Sequence, residues 1–589
     1  MNQTANRKML TKLLFRLLPV QIMLAVVGAV NGIVSSYFAT NFVSTEAMSA
    51  VGLYAPINML ITSISTVLVG GSSILCGKYM GRNQQDKMQN VFSLSLLLSL
   101  LVSAGFILAL LLMGFFGLSG FLTHDQTVRP LFNRYLLGKS IEVLPLMLGS
   151  ALAAFLTLEN KGKRTLIASL AFFVSNVVFN CILVVLLHGD AFGLALASSL
   201  GMWVFLGVLA QPYFAGRTQM SIACRKLSWA ETGAIVQIGL PGAASNLYQT
   251  ARGLIVNRLL EAFVGSVAIS AFAASDSVLR IFWAIPGGML AVSRLMISVS
   301  VGEEDRQTLT DVMRVMFRRF LPLMGCVSAL IILCAVPFTR IFYRDVSAPV
   351  YMMTVWGFRI LPLCMPLSII CMHFTCYGQT SGKQGLVHLL ALLDGVVCVA
   401  GFTALLIRFL GMNSVYVANI LNGVVTTLVI VGYAWLKKKR FPRNMEELMV
   451  IPEDFGVPES DRMDLSVKSV EGVVRVAEQV QHFFLAKGVD ARRAYLAGLA
   501  MEEMAGNIVE HGFTKDRKTH SVDVRVVYKD GGVILRIKDD CVPFDPAERR
   551  QLAEGDDVTK NIGIRMVFQI ARDVQYQNIL GLNVLTVRI

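Results

Sequence analysis

Up to about residue 440 the chain alternates long apolar runs with short polar ones, and beyond that point the pattern changes. The apolar runs fall near residues 17–43, 50–77, 91–119, 133–157, 165–187, 191–214, 234–260, 267–300, 315–340, 351–377, 385–410 and 413–436. Each is roughly 20 residues or longer, which is what a helix needs to cross a bilayer, so the pattern predicts twelve membrane helices. The polar runs between them differ in charge. Lys78, Arg82 and Lys87 follow the second run, Lys161, Lys163 and Arg164 the fourth, and Arg217, Arg225 and Lys226 the sixth. Arg306, Arg314, Arg318 and Arg319 follow the eighth, Lys383 the tenth, and Lys437 to Arg440 close the twelfth. The alternate loops are poorer: the one around Glu46 has no Lys or Arg and the one around Asp190 has only His188, with Arg340 and Arg344 as exceptions. Lys and Arg accumulate in short cytoplasmic loops. Both termini are therefore expected in the cytoplasm, on a multi-pass protein of the inner or plasma membrane. The basic segment Met1 to Arg16 runs into the first apolar stretch without a small-residue cleavage site, and reads as the start of a helix, not a removable signal.

The two halves repeat. At an offset of 221, Ala47-Met-Ser-Ala50 returns as Ala268-Ile-Ser-Ala271, Phe42-Val43 as Phe263-Val264, and Gly81-Arg-Asn-Gln-Gln-Asp86 as Gly302-Glu-Glu-Asp-Arg-Gln307. Leu18-Pro19 and Leu240-Pro241 fit with one residue of slip, and Gly162-Lys163 and Gly382-Lys383 extend the match. One offset held over several helices predicts two six-helix lobes, an N-lobe over 1–220 and a C-lobe over 221–440, with solute sites between them near the bilayer midplane.

Composition agrees: 54% of residues are hydrophobic and 16% charged, and the mean hydropathy is +0.61, far from a soluble chain with about 25% charge. The net charge of +14 is scattered between apolar runs and forms no stripe, which argues against a nucleic-acid partner and for loops facing an anionic leaflet. The ten cysteines sit mostly inside apolar runs (Cys181, Cys326, Cys334, Cys371, Cys398) without metal-ligand spacing, as reduced core residues would.

Ionisable residues within a membrane helix are costly and mark function by default. Those present are Glu142, Asp276, Asp394 and, nearer a helix end, Glu261. Asp276 has Arg280 one turn later, the spacing of a simple helical ion pair. Asp394 has no such neighbour and is the first candidate for ion coupling. His373 and His388 read as packed, hydrogen-bonded residues.

After Lys437-Lys-Lys-Arg440, Pro442, Pro452 and Pro458 mark a linker over 441–464, and a second domain over 465–589 follows. It reads as helix (467–487), helix (490–511), strand (521–528), strand (533–539), a polar loop (547–560), helix (562–574) and a hairpin turning at Gly581. In the second helix Glu503, Asn507 and His511 stand at i, i+4 and i+8 on one face. An Asn carbonyl oxygen can ligate Mg²⁺, and a Glu one turn earlier can orient or deprotonate the group that attacks a γ-phosphate. The second strand ends in Asp539-Asp-Cys-Val-Pro-Phe-Asp545-Pro, where Asp539 could accept an adenine amino hydrogen. Asn561-Ile-Gly563-Ile-Arg565 starts a helix whose amides could hold phosphate.

Two resemblances follow. The first 440 residues resemble the multidrug and toxic-compound extrusion (MATE) family, through the repeat, the Gly70-to-Gly81 end of helix two, the Gly239-Leu-Pro241 entry to helix seven, and Asn176…Asn180 followed by Phe192-Gly-Leu-Ala-Leu-Ala197. That resemblance implies export of organic, often cationic, molecules in exchange for H⁺ or Na⁺. It places Ser35, with Asn31 and Ser36 nearby, where many members carry an acid in helix one, and Thr250, beside Gln249, where many drug exporters carry a Glu. The C-terminal E-x-x-x-N box, D-x-x-x-P-F-D-P turn and x-G-I-R helix start resemble the GHKL ATP-binding fold, closest in length to anti-sigma-factor serine kinases, with Cys541 and Asn561 standing where glycines are usual. This implies an α/β two-layer sandwich binding ATP and Mg²⁺. No P-loop motif occurs, so the domain is expected to regulate transport or to phosphorylate a cytoplasmic protein partner. The competing reading is a membrane-tethered anti-sigma-type serine kinase whose helical part is a sensor.

Overall fold

The computed structural model describes residues 3–38, 42–43, 45–117, 128–222, 227–343, 345–513, 520, 522–529, 531–546 and 562–589. The first lobe comprises α1 (Gln3–Phe38), α2 (Thr45–Gly81), α3 (Gln85–Phe115), α4 (Val128–Leu158), α5 (Gly162–Asn180) and α6 (Ala191–Phe214). The second comprises α7 (Thr232–Phe263), α8 (Ser266–Gly302), α9 (Arg306–Leu333), a short α10 (Ala335–Phe342), α11 (Pro349–Ile360), α12 (Cys364–Ser381), α13 (Gln384–Leu392), α14 (Cys398–Leu410) and α15 (Asn413–Lys438). Ten of these passes are long and apolar enough to span a membrane among the described residues. α1 and α7 hold the two remaining apolar runs of the sequence.

Several expected helices are interrupted: the fifth ends in a π-helical segment, Cys181–Leu186, and the ninth is divided between α9 and α10. The tenth is α11 joined to α12 by a 3₁₀ turn at Leu361–Leu363, where Pro362 removes a backbone donor. The eleventh is α13 joined to α14 by a π-helical segment, Leu393–Val397, that contains Asp394. Such wide turns concentrate at functional positions in helices. The cysteine expectation holds for Cys371 and Cys398, which are buried, but Cys181 and Cys326 are exposed; none of the described cysteines is in a disulfide.

The sequence repeat is a repeat of backbone geometry. Asn83 and Glu304, 221 apart, are both left-handed, with φ of 59° and 54°. One residue later the N-caps of α3 and α9 fall at Gln84 and Asp305. Just before these turns the lobes touch: any side chain on Gly302 would run into the Lys78 carbonyl, and any on Gly81 into the Val299 carbonyl. Glycine is required where two helix backbones approach this closely. The same holds further back along α2, where Gly71 meets the Ile235 carbonyl of α7 and Gly239 meets that of Val67. The two lobes thus close on each other over the half of α2 that leads to Gly81.

The C-terminal domain is a five-stranded antiparallel sheet in the order β1-β2-β3-β5-β4, formed by β1 (Arg462–Val467), β2 (Val522–Lys529), β3 (Gly532–Asp539), β4 (Asp573–Ile579) and β5 (Leu582–Arg588). Its helices are α17 (Val470–Ala486), α18 (Ala491–Asn507) and α19 (Ile562–Ile570), with a short α16 (Met445–Met449) in the connection from α15. Ser469 and Asp490 cap α17 and α18 through their side-chain oxygens. The apolar stripe of these helices packs on Val522, Val524, Val526, Val533, Leu535 and Ile537 to make a core separate from that of the bundle. Two corrections arise. Strand β1 begins inside the stretch read as linker, and the helix expected over 562–574 stops at Ile570, because Asp573 and Val574 already pair with Arg588 and Val587. Nor is 441–461 a loose tether. The Lys383 ammonium donates to the carbonyls of Met449 and Val450 at 3.0 and 2.9 Å, and Arg306 holds Glu446 and the Pro452 and Phe455 carbonyls.

Candidate functional site

A cleft of about 520 Å³ opens in the C-terminal domain between α18, the turn after β3, and the β4–β5 hairpin. Its wall includes Met504, Asn507, Ile508, His511, Asp539, Cys541, Ile564, Tyr576, Asn583 and Leu585. The helical spacing of the first motif therefore brings Asn507 and His511 to one surface, and the end of β3 adds Asp539. The Asn507 side-chain NH₂ donates to the Glu503 carbonyl at 2.7 Å, which leaves its carbonyl oxygen as the group it offers the cleft. Glu503 lies one turn earlier and packs against Gly563 so closely that a Cβ there would overlap its carboxylate. That contact explains the glycine at the start of α19.

Asp539 forms the polar base of the cleft and is buried. It accepts from the Cys541 amide at 2.9 Å and from the Asn583 side chain at 2.7 Å. Burial pushes its carboxyl above the usual range, and these hydrogen bonds pull against that. Asn583 is held in turn by the Tyr576 hydroxyl and the Asn578 amide, each donating at 2.8 Å. Burial raises the Tyr576 phenol to about 12, so it stays a neutral donor. Cys541, at a position where glycine was expected, is buried beside Gly512, and a Cβ on Gly512 would crowd its sulfur at 3.1 Å. The glycine missing from the turn is compensated by one in the π turn that ends α18.

Asp545 follows this turn and is half-buried, and Arg565 sits half-buried on α19; neither is among the cleft-lining residues, where α19 contributes Ile564. Asn561 and residues 547–560 lie outside the described residues. Tyr576 and Asn583 were not singled out from the sequence. Their only signal there is an Asn and a Tyr on neighbouring strands of a hairpin, which is too common to stand out.

The cleft fits a Mg-bound nucleotide. Its volume lies in the 300–1,000 Å³ range of small-molecule sites, its lining is mainly apolar, and it presents a carbonyl oxygen at Asn507 and a buried carboxylate at Asp539.

Within the bundle the predicted acids have different surroundings. Asp276 is bound by Arg280 at 2.7 Å, the local pair its spacing suggested. Glu142 ion-pairs with Lys139 and accepts from the Ser198 hydroxyl at 2.8 Å. Lys139, which the apolar pattern hid, is 8% exposed and its ammonium lies 5.7 Å from the rings of Tyr54 and Tyr135. Asp394 accepts from the Asn422 amide at 2.8 Å. It is not as isolated from cations as the sequence implied, since Arg252 of α7 donates to its backbone carbonyl at 3.3 Å. Glu261 is exposed toward the end of α7, and Gln249 donates to Ser245 at 3.3 Å. The side chains of Asn31 and Ser35 lie outside the described residues. His373 is buried, with Nδ1 2.7 Å from the Ile369 carbonyl and its ring against Phe317 and Phe320, a packed residue.

Comparison with known proteins matches both parts. Residues 21–182 match the MatE family and residues 466–589 the histidine kinase-like ATPase domain family. The chain is similar in fold to a crystal structure of MATE in complex with MaL6 (20% identity, 75% of this chain and 98% of that one, TM-score 0.68). It is similar also to an outward-facing multidrug resistance MATE family transporter of the MOP superfamily (20%, 75% and 97%, 0.66) and to a MOP superfamily transporter from Pyrococcus furiosus (20%, 74% and 96%, 0.67). No curated protein matches the chain. The molecule is a multi-pass membrane protein with the MATE transporter fold, joined to a histidine kinase-like ATPase domain.

Proposed function

We propose that this protein is a secondary-active exporter, an antiporter that moves organic, often cationic xenobiotic solutes across the inner or plasma membrane against H⁺ or Na⁺, and that its C-terminal domain regulates it from the cytoplasm by binding Mg·ATP. The observation that carries this reading is a complete two-lobe bundle matching MATE structures over nearly their whole length, in a chain whose nucleotide-sized cleft lies wholly outside the bundle. Bound ATP would supply a transferable phosphoryl group. Asn507 would hold the metal through its carbonyl oxygen, Asp539 would accept from adenine, and His511 would line the phosphate side. Gly563 and Arg565 would close over the phosphates from the start of α19, and Asp545 would order the turn. Glu503 would receive the proton of the attacking hydroxyl, which makes a serine on a cytoplasmic protein the acceptor it suits.

In the bundle, Asp394 is the coupling candidate because it sits in a π-helical break and is held by Asn422 and Arg252, whereas Asp276 and Glu142 are neutralised by Arg280 and Lys139. That neutralisation is also what favours the competing reading, a tethered serine kinase with a sensor bundle. Reconstituted vesicles with an imposed H⁺ or Na⁺ gradient separate the two. Gradient-driven flux of an organic cation that disappears in Asp394→Asn supports the antiporter. Absence of flux under either gradient, with ATP-dependent phosphorylation of a partner retained, supports the kinase.

A further inference from the structure

We infer that the ATPase domain is a clamp across the two lobes, holding the bundle closed at the end where it docks. The inference rests on the transporter reading above for its meaning, though not for its geometry.

The domain is bonded to both lobes. On the first lobe, the Leu580 amide donates to the Leu158 carbonyl at the end of α4 at 3.4 Å, Gly581 packs on the Asn160 side chain, and Asp540 pairs with Lys12 of α1 at 3.4 Å. On the second lobe, the acidic turn Glu303-Glu304-Asp305 takes Lys538 at 2.7 Å, Lys529 at 3.5 Å and Arg525, respectively. A body joined to two lobes must let go of one before they part at that end. The lobes themselves meet there, through Gly81 and Gly302 and through Arg82 and Glu304 at 3.2 Å.

This is a built interface. The side chains of Glu303 and Asp305 are 3% and 2% exposed, and charges so deeply buried are tolerated only when paired. Ile579, Leu580 and Val584 belong to the same buried apolar cluster as Leu158 and the helices of the bundle. Strand β5 is accordingly buried on both faces, Leu585 and Val587 inward and Val584 toward the lobes. Strand β3 shows the same division: Leu535, Ile537 and Asp539 point to the domain's own core and cleft, while Lys538 points to Glu303.

The test uses the full-length chain with Ser298 replaced by cysteine, a near-isosteric change at a buried residue of α8 facing Gly77 of α2, and follows labelling by a small thiol reagent after the other accessible cysteines are blocked. Lys538→Glu and Glu303→Lys should each raise the labelling rate at least several-fold, and the double reversal should return it toward the parent value by restoring the pair in opposite sense. An oxidised Leu158→Cys/Leu580→Cys pair in the Lys538→Glu background should leave the rate high, since it fastens the domain to one lobe only. Single reversals that leave labelling unchanged, or a double that labels as fast as the singles, would overturn the clamp. Labelling needs neither transport nor ATP, so a failure of ion-driven flux with labelling as expected sinks the antiporter reading and leaves the clamp standing.

Discussion

Lys538 and Glu303 are joined at 2.7 Å across the boundary between the ATPase domain and the bundle, and the residue after Lys538 is the carboxylate at the base of the cleft. Removing the lysine leaves Glu303 buried without its partner, a change that typically costs about 3–5 kcal/mol. Lys538→Ala should therefore loosen docking while leaving the sheet folded. Hydrogen exchange should show faster exchange at the Leu580 amide, whose acceptor is the Leu158 carbonyl, with unchanged protection in β2 and β3.

The cleft residues should separate by role. Losing a hydrogen bond to a charged group costs about 1.5–3 kcal/mol, or roughly ten- to a hundredfold in affinity. Asn507→Ala and Asp539→Ala in the detergent-solubilised chain should weaken Mg·ATP binding by that amount in calorimetry. Glu503→Ala should bind nearly as the parent does and lose phosphoryl transfer. Equal loss of binding in all three variants would reject the division of roles.

The buried pair in α4 gives a stability test. Glu142→Gln strands the Lys139 ammonium among Tyr54, Tyr135 and Ser198, and should lower thermal stability by the several kcal/mol of an uncompensated buried charge, about 3–5. Lys139→Met combined with Glu142→Leu should recover most of it. A thermal shift assay on both variants checks this.

Docking should also depend on pH with a definite sign. Burial alone would raise the Asp305 carboxyl, but Arg525, Lys538 and the Thr308 hydrogen bonds more than offset it and hold it at about 2. A carboxyl depressed in the folded state contributes stability that is complete above the ordinary Asp range, near about 4, and is lost as pH falls toward 2. Small-angle scattering from pH 7 downward should show the domain leaving the bundle in that lower window. Asp305→Asn keeps an N-cap acceptor for α9 and should remove this contribution at every pH.

Much of this fold was legible because membrane spans and a repeat are written in residue types. The Asn507, His511 and Asp539 positions of the cleft were legible for a similar reason, since helical and strand periods place them. What stayed hidden depends on the third dimension. Lys139 disappears in an apolar run until α4 and α6 bring Ser198 beside it. Arg252 is 142 residues from the Asp394 carbonyl it meets. Strand β1 stayed hidden because it follows the stretch marked by Pro442, Pro452 and Pro458 and opens with the charged Arg462 and Asp464, which face Gln307 of the bundle and Arg525.

The left-handed turns at Asn83 and Glu304 are equivalent by the repeat, yet one reads Arg82-Asn83-Gln84 and the other Glu303-Glu304-Asp305. A rotation exchanging the lobes would lay an acidic turn on a basic one. Backbone symmetry therefore offers two seats, and charge opens only one to a sheet face carrying Arg525, Lys529 and Lys538. The charges on the two turns thus allow the ATPase domain one orientation on the bundle. The charge difference between the two turns leaves untouched the glycine contact that both lobes share, Gly81 on one side and Gly302 on the other.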